Sequence, residues 1–508
     1  MGPVAVLVTL LAGTSFASGC QESESTGKGD SYYCICNSTY CDEAPSVVQT
    51  QEKLTYTVVS SSKDGLRFHV SNGKFGHKSG GIFSTKIKID TTKTYQTIIG
   101  FGGSMTDSSG INIKSLSEPV QKKLLGAYFG NGSIEYNMIR VPMGSSDFSP
   151  RPYSYAETEN DIFLEKFALA DEDIKYKIPY LQKISNITNQ QVKLIASPWS
   201  PNPWMKTAGN WTGKGILRRE YWQTWANYFV KFFQEYIKKD IKFWALTPQN
   251  EPQIVFTPIV MQSMGWDAVD QRKWLTEFLA PIMKKADLDY IKIIIGDGQR
   301  HLLPDWVNKI LIDKKANKLV SGIAVHWYLD KVLSINRLDK THKLYPNKFI
   351  LYTESCSGVM ESQKVKLGSW SRAEDYANSI IDTFNHWVTG WIDWNMALDL
   401  KGGPNWLKNY MDAPIIVNAS ADSFYKQPTY YAIGHFSKFI TPGSKRISTT
   451  RKGLANIKTI GFLRPDNATV LILLNQYTLE KTVSVEDPVK GSVKLTLPPK
   501  SIHSVIYW

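Results

Sequence analysis

Glu251 and Glu354 stand where two apolar runs break off, and that setting could do chemistry. Phe243 to Pro252, FWALTPQNEP, opens apolar as a buried parallel strand does, then turns polar at Asn250-Glu251 and meets proline. Lys348 to Gly358, KFILYTESCSG, repeats the plan and stops at Glu354. Carboxylates at the ends of two strands of one sheet can face a common pocket. Cleavage of a glycosidic bond needs such a pair: one carboxyl protonates the leaving oxygen, the other attacks or activates water. A single glutamate is usually solvated, caps a helix or joins an ion pair. Two at matching strand ends, one flanked by Asn and Pro, favour the catalytic reading.

The elements that must position this pair follow from periodicity. Eight short apolar runs alternate with helical segments, near Ile98–Gly102, Asn137–Val141, Val192–Ala196, Phe243–Thr247, Ile291–Ile295, Ile323–His326, Phe349–Thr353 and Trp391–Asn395. Between the third and fourth runs, Trp222, Trp225, Phe229, Phe232 and Tyr236 recur at helical spacing; between the seventh and eighth, Tyr376, Ile380, Phe384 and Trp387 do so. Eight β–α units predict an α/β protein with a (β/α)8 barrel, its site at the C-terminal ends of the strands. Residues 54–89 and the stretch after Ser444 alternate like strands instead, as in Val470-Leu471-Ile472-Leu473-Leu474. They predict an additional all-β sandwich domain built from both chain ends. The expected division is a leader at 1–19, a disulfide-bearing β segment with sandwich strands at 20–95, the barrel at 96–443 and the remaining sandwich at 444–508.

A chain of 508 residues has room for such a barrel plus a smaller module. Aromatics reach 12%, with 16 Trp and 25 Tyr, which suits a surface that stacks on sugars as well as ordinary core packing. The formal charge is +13, but the lysines are scattered in pairs such as Lys238–Lys239, without zinc-finger spacing or an Arg-rich tract. That pattern disfavours nucleic acid and leaves an anionic lipid surface as a partner. Met1 to Ala17 reads as a secretory signal, apolar from Val4 to Ala12 with Ser15 and Ala17 as a small-x-small cleavage site. No later run is long enough to span a bilayer. Four of five cysteines, Cys20, Cys34, Cys36 and Cys41, crowd near the mature N-terminus and read as two disulfides, with Cys20–Cys34 and Cys36–Cys41 preferred among three pairings. Zinc is the rival reading there. Cys356 is left as a buried free thiol. Sequons at Asn37, Asn131, Asn186, Asn210, Asn418 and Asn467 fit secretion.

From Cys34 to its C-terminus the chain resembles glycoside hydrolase family 30, and within it the animal lysosomal glucosylceramidases. The likeness rests on GFGGSMTD (Gly100–Asp107), NMIRVPM (Asn137–Met143), LIASPW (Leu194–Trp199), NEP (Asn250–Pro252), AVHWYLD (Ala324–Asp330), LGSW (Leu367–Trp370), GGPNW (Gly402–Trp406) and GHFSKFI (Gly434–Ile440). It implies a retaining β-glucosidase with Glu251 as acid/base and Glu354 as nucleophile, needing no metal and no cofactor. A protonated Glu251 would be favoured by burial and by the anion of Glu354. Asn250 would hydrogen-bond the sugar 2-OH, or else cap backbone; Arg140 would hold Glu354 ionised, or else form an ordinary ion pair. The resemblance puts Asp107, Trp199, Trp394 and Asn405 around the glucose, although either tryptophan alone could be core. Gln299, His326 and Tyr328 are further lining candidates, Tyr328 by reaching a catalytic carboxyl. GFGG falls short of the full dinucleotide-binding glycine pattern, and His326-Trp327-Tyr328 lacks a second ligand at metal spacing.

Two segments depart from the family. The stretch after the acid/base, about Ile254–Met264, is mostly aliphatic where mammalian members carry aromatics, and Ser357–Gln363 lacks their Phe-Trp pair. The expected activity is hydrolysis of membrane glucosylceramide, with a saposin-type activator as a further partner. The setting is the secretory pathway, ending in the lysosomal lumen with peripheral membrane contact, or outside the cell. The alternatives are another family 30 glycosidase acting on a β-linked oligo- or polysaccharide, and a silent lectin or lipid-transfer protein.

Overall fold

The computed structural model describes residues 19–20, 30–76, 85–189, 191–257, 260–359 and 361–508. The leader read at Met1 to Ala17 lies outside them, as does most of the polar stretch Gln21–Asp30. Near the N-terminus come β1 (Cys34–Cys36), β2 (Thr55–Ser62), β3 (His69–Lys74) and β4 (Thr85–Thr97). The barrel strands follow: β5 (Gly100–Ser104), β6 (Met138–Met143), β7 (Lys193–Pro198), β8 (Ala245–Leu246), β9 (Lys292–Gln299), β10 (Val320–His326), β11 (Phe349–Glu354) and β12 (Val388–Asn395). They close into a parallel barrel, each near one of the eight apolar runs. β6 is buried throughout, because both faces of a barrel strand are covered. At Gly102 of β5 any side chain would strike the Met138 carbonyl of β6. The glycines of GFGG thus serve close strand packing.

Helices of the outer ring bury the stripes expected of them. Trp225, Phe229, Phe232 and Tyr236 of the Trp222–Ile237 helix are fully buried. In the Trp370–Asn385 helix, Tyr376, Ile380 and Phe384 are buried, but the stripe does not extend to Trp387. The helix ends first, and Trp387 turns the chain toward β12 with φ +73°, stacked on His342 at 3.8 Å.

After the barrel come β13 (Ala397–Asp399), β14 (Ile415–Asn418) and β15 (Ser423–Lys426), then β16 (Lys445–Lys452), β17 (Lys458–Leu463), β18 (Thr469–Asn475), β19 (Lys481–Asp487), β20 (Gly491–Leu497) and β21 (Ser501–Tyr507). A nine-stranded sheet runs β20-β19-β4-β16-β17-β18-β21-β2-β3, so both chain ends build it. β1 does not join that sheet. It pairs antiparallel with β15, in a separate sheet of order β1-β15-β14-β13. Disulfides Cys20–Cys34 and Cys36–Cys41 brace β1, and Cys356 is free and buried. Asn131, Asn186, Asn210 and Asn467 are exposed, while Asn37 and Asn418 are half-buried.

The seam between barrel and sheet holds two buried histidines whose ring nitrogens meet serine hydroxyls. His435, on the Pro428–Ser437 helix, faces Ser504 at 2.8 Å and Ser61 at 2.9 Å. His503 of β21 faces Ser60 and Ser501, each at 2.7 Å. Burial pushes His503 down to about 3, and burial and then the charge of His503 push His435 well below the ordinary imidazole value. In the unfolded chain both rings take up protons below about pH 6.5. Folding stability therefore falls as pH drops from 6.5 toward 3, by about 1.4 kcal/mol per unit for each ring. Replacing His503 with Gln keeps a donor and an acceptor but cannot be charged. It should lessen the fall in Tm between pH 6.5 and 4.5 by about 2–3 °C for a chain of this size. An unchanged slope in a thermal melt series would refute this account.

Candidate active site

Glu251 and Glu354 both lie at the C-terminal end of the barrel, Glu354 closing β11 and Glu251 following β8 by five residues. Barrel register sets their neighbours: His326 pairs with Glu354 on one side and with Gln299 on the other, and Ser104 pairs with Arg140. Glu251 adopts φ +45° and Asp297 φ +53°, left-handed conformations unusual for non-glycine residues. Such backbone costs on the order of 1–3 kcal/mol and persists where packing dictates it, often at functional sites. Here the Glu251 N–H donates to the Asp297 carbonyl at 2.7 Å, which fixes the turn.

Glu354 is held on both oxygens. Arg140 Nη1 donates to Oε2 at 2.5 Å, and the Tyr328 hydroxyl donates to Oε1 at 2.7 Å. Burial, then the charges of Cys356 and Glu354, push the Tyr328 hydroxyl well above its ordinary value, so it stays a donor. Arg140 is wholly buried and also reaches Asn250 Oδ1 at 2.7 Å, Asp297 Oδ2 at 2.8 Å and Ser197 at 3.2 Å. The bond to Asn250 turns its amide nitrogen into the remaining donor. Glu251 Oε1 accepts from Gln299 Nε2 at 2.6 Å and lies 3.0 Å from His326 Nδ1. An oxygen of Glu251 and one of Glu354 come within 4.8 Å of each other and of a His326 nitrogen. That donor set resembles a metal site on paper, but the Arg140 guanidinium against Glu354 is ill suited to a second cation there.

Trp199 and Trp394 stack on each other with centroids 5.0 Å apart, and the Arg140 guanidinium lies 4.7 Å over Trp199. Both are buried within a cluster that includes Phe148, Cys356 and Met411 and against which Tyr328 packs. Asn405 Nδ2 donates to Asp147 Oδ2 at 3.2 Å. Asp147 was not singled out in the sequence. Burial, then the charge of Glu354, raise its carboxyl to about 7. Its position just past β6, seven residues after Arg140, was the available signal.

Asp107 is the candidate the structure does not bring to the two glutamates. It opens the Asp107–Lys114 helix and joins a different buried cluster, accepting from Ser149 at 2.6 Å and Tyr153 at 2.8 Å and facing Lys177 at 3.4 Å. Lys177 in turn pairs with Asp173 at 2.9 Å, so one buried cation serves both carboxylates of this cluster. Asp297 is the other residue that sequence reading missed. It takes donors from Arg140, Thr247, Thr353 and His326.

The loops at the mouth have separate anchors. Buried Lys206 donates to the Trp211 and Ser263 carbonyls at 3.1 and 2.8 Å, joining the loops after β7 and β8. Arg372 holds Glu361 at 2.6 Å and the Gln363 carbonyl at 2.8 Å, fixing the loop after Glu354. Phe256 and Val260 stand 63% and 70% exposed beside the acid/base side.

A closed barrel with paired glutamates at its strand ends, flanked by a β module, defines a glycosidase architecture. Residues 98–440 match the glycosyl hydrolase family 30 TIM-barrel domain and 443–505 the glycosyl hydrolase family 30 beta sandwich domain. The chain belongs to glycoside hydrolase family 30. It is 41% identical over 507 residues to lysosomal acid glucosylceramidase of Mus musculus, covering 98% of each chain. Among solved structures, SrfJ from Salmonella typhimurium is 28% identical with TM-score 0.82, covering 89% of this chain and 99% of that one. An endo-β1,6-glucanase, also 28% identical, reaches TM-score 0.78 at the same coverage.

Proposed function

We propose that the protein is a retaining β-glucosidase that hydrolyses glucosylceramide to glucose and ceramide by double displacement. The observation that carries the mechanism is the closeness of the carboxyls: one oxygen of Glu251 and one of Glu354 lie within 4.8 Å of each other and face the same His326 nitrogen. Retaining enzymes keep the two carboxyl groups about 5–5.5 Å apart, whereas inverting enzymes leave about 6.5–9.5 Å for a water. Glu354, held by Arg140 and Tyr328, attacks the anomeric carbon; Glu251 protonates the leaving oxygen and then activates water. Asn250 donates to the sugar 2-OH. Trp199, Trp394, Asn405 and Asp147 bound the glucose, with the uncharged form of Asp147 suited to sugar hydroxyls. What supports the substrate is the 41% identity to a glucosylceramidase along almost the whole chain.

The chain's destination is the lysosomal lumen, reached through the secretory pathway. No helix among the described residues is long and apolar enough to cross a membrane. The enzyme therefore adsorbs to the bilayer that holds its substrate, aided by its net charge of +13 and by the exposed Phe256 and Val260. Each Lys or Arg near an anionic surface contributes about 1 kcal/mol before salt screening. A saposin-type activator is the expected further partner.

The test uses purified protein on vesicles carrying glucosylceramide or galactosylceramide, with and without anionic lipid. Glucosylceramide turnover should exceed galactosylceramide turnover, rise with anionic lipid and fall with salt, while a soluble aryl β-glucoside changes little. Equal turnover of both lipids would overturn the substrate assignment. A parallel salt response of both glucosides would overturn the docking account. Rising activity along a β-glucan oligosaccharide series would instead favour the endo-glycanase alternative.

A further inference from the structure

We propose that Asp297 is a positioning residue that couples the two glutamates: through Arg140 it fixes Glu354, and through His326 it confines the exchangeable proton of Glu251 to Oε2. The inference rests on the double-displacement reading above. Four donors fill the two oxygens of Asp297. Oδ2 accepts from Arg140 Nη2 at 2.8 Å and Thr247 Oγ1 at 2.6 Å; Oδ1 accepts from Thr353 Oγ1 at 2.7 Å and meets His326 Nε2 at 3.1 Å. A carboxylate saturated this way cannot rotate without breaking several buried bonds, each costly to leave unmade. Its own backbone carbonyl accepts the Glu251 N–H. One residue thus touches the loop of the acid/base, the guanidinium that holds the nucleophile and the imidazole beside the acid/base.

The imidazole transmits the effect. With Nε2–H committed to Asp297, Nδ1 faces Glu251 Oε1 at 3.0 Å and Glu354 Oε1 at 3.9 Å. Burial alone would lower His326, but the charge of Glu354 and the bonds to Asp297 and Glu251 raise it to about 9, so Nδ1 also carries a proton. Asp297 itself is held well below the carboxylate range: burial would raise it, but Arg140, then His326 and Thr247, outweigh burial. Glu251 Oε1 therefore meets two N–H donors, from His326 and Gln299. A proton placed there would oppose both, which leaves Oε2 to carry it. Besides His326 and the nearby Glu354, His301 also feels the charge of Glu251; it is bonded to Gln253 at 3.0 Å, and Arg337 acts on His301 in turn.

The test is the pH profile of kcat/KM for Asp297→Asn and His326→Gln in the full chain. Removing a cation from beside a carboxylate makes it easier to protonate. The alkaline limb, set by the acid/base, should move to higher pH by about 0.5–1 unit in His326→Gln, and likewise in Asp297→Asn because the imidazole gives up its proton once its carboxylate partner is gone. The optimum should fall on the order of 10²-fold in Asp297→Asn, because both glutamates lose their register. In the double variant the limb should move no further than in the larger single, since one pair acts. A purely structural role would lower the whole profile and Tm without moving the limb. An unmoved limb in the folded variants, or additive shifts, would overturn the proposal. If Asp297→Asn does not fold, His326→Gln alone decides by the same criterion. Glu251→Gln separates the two levels of inference: with a good leaving group it should abolish the alkaline limb. If the limb persists there, the assignment of Glu251 fails rather than that of Asp297.

Discussion

Glu354→Gln is expected to remove hydrolysis of every β-glucoside, by on the order of 10⁵-fold or more in kcat, the scale of losing the nucleophile from a covalent catalytic site. The side chain is held for one task. Arg140 at 2.5 Å and Tyr328 at 2.7 Å engage one oxygen each and fix the plane of the carboxylate. Glutamine has nearly the same shape, so the loss reports chemistry rather than packing. With an aryl glucoside and azide, the variant should form α-glucosyl azide, because azide enters from the face that the nucleophile vacates. In the unaltered enzyme a 2-deoxy-2-fluoro glucoside should leave its label on the peptide containing Glu354, read by mass spectrometry. A label on another residue, or a loss below about tenfold, would end the assignment.

Glu251→Gln is expected to discriminate between leaving groups. Without an acid, a poor leaving group departs as an alkoxide, whereas a dinitrophenolate needs little help. Hydrolysis of glucosylceramide should fall by about 10²–10⁴-fold, the usual worth of general acid catalysis, while glycosylation by dinitrophenyl glucoside changes far less. Deglycosylation also loses its base, so the glycosyl-enzyme should accumulate until azide releases β-glucosyl azide. Equal losses for both leaving groups, with no rescue, would count against the role. The position of Oε2, opposite the two donors on Oε1, gives the proton its direction.

Much of this molecule is legible in its sequence because the relevant signals are local. Apolar runs of a few residues mark the barrel strands, since both faces of such a strand are covered. The stripe from Trp222 to Tyr236 marks a helix for the same reason: neighbouring residues on one face share one environment. Glu251 and Glu354 are visible because each interrupts an apolar run at a strand end. Local signals fail where the chain must turn. Trp387 continues a helical spacing but sits beyond the helix, in a left-handed turn that only the approach to β12 requires.

What the sequence by itself determined is the order of elements, the burial of their faces and the placement of two glutamates at the ends of barrel strands. The tertiary structure decided which distant residues meet. β1 pairs with β15 nearly four hundred residues away, a partner that nothing in Cys34–Cys36 itself indicates. Asp107 and Asp147 are both aspartates just past barrel strands, yet only Asp147 meets Asn405, while Asp107 is drawn to Lys177. Asp297 unites Arg140, Thr247, His326 and Thr353 from four different strands or strand ends. Barrel closure and register bring those atoms within hydrogen-bonding distance. A bond of about 3 Å depends on that three-dimensional register, which no spacing along the chain encodes.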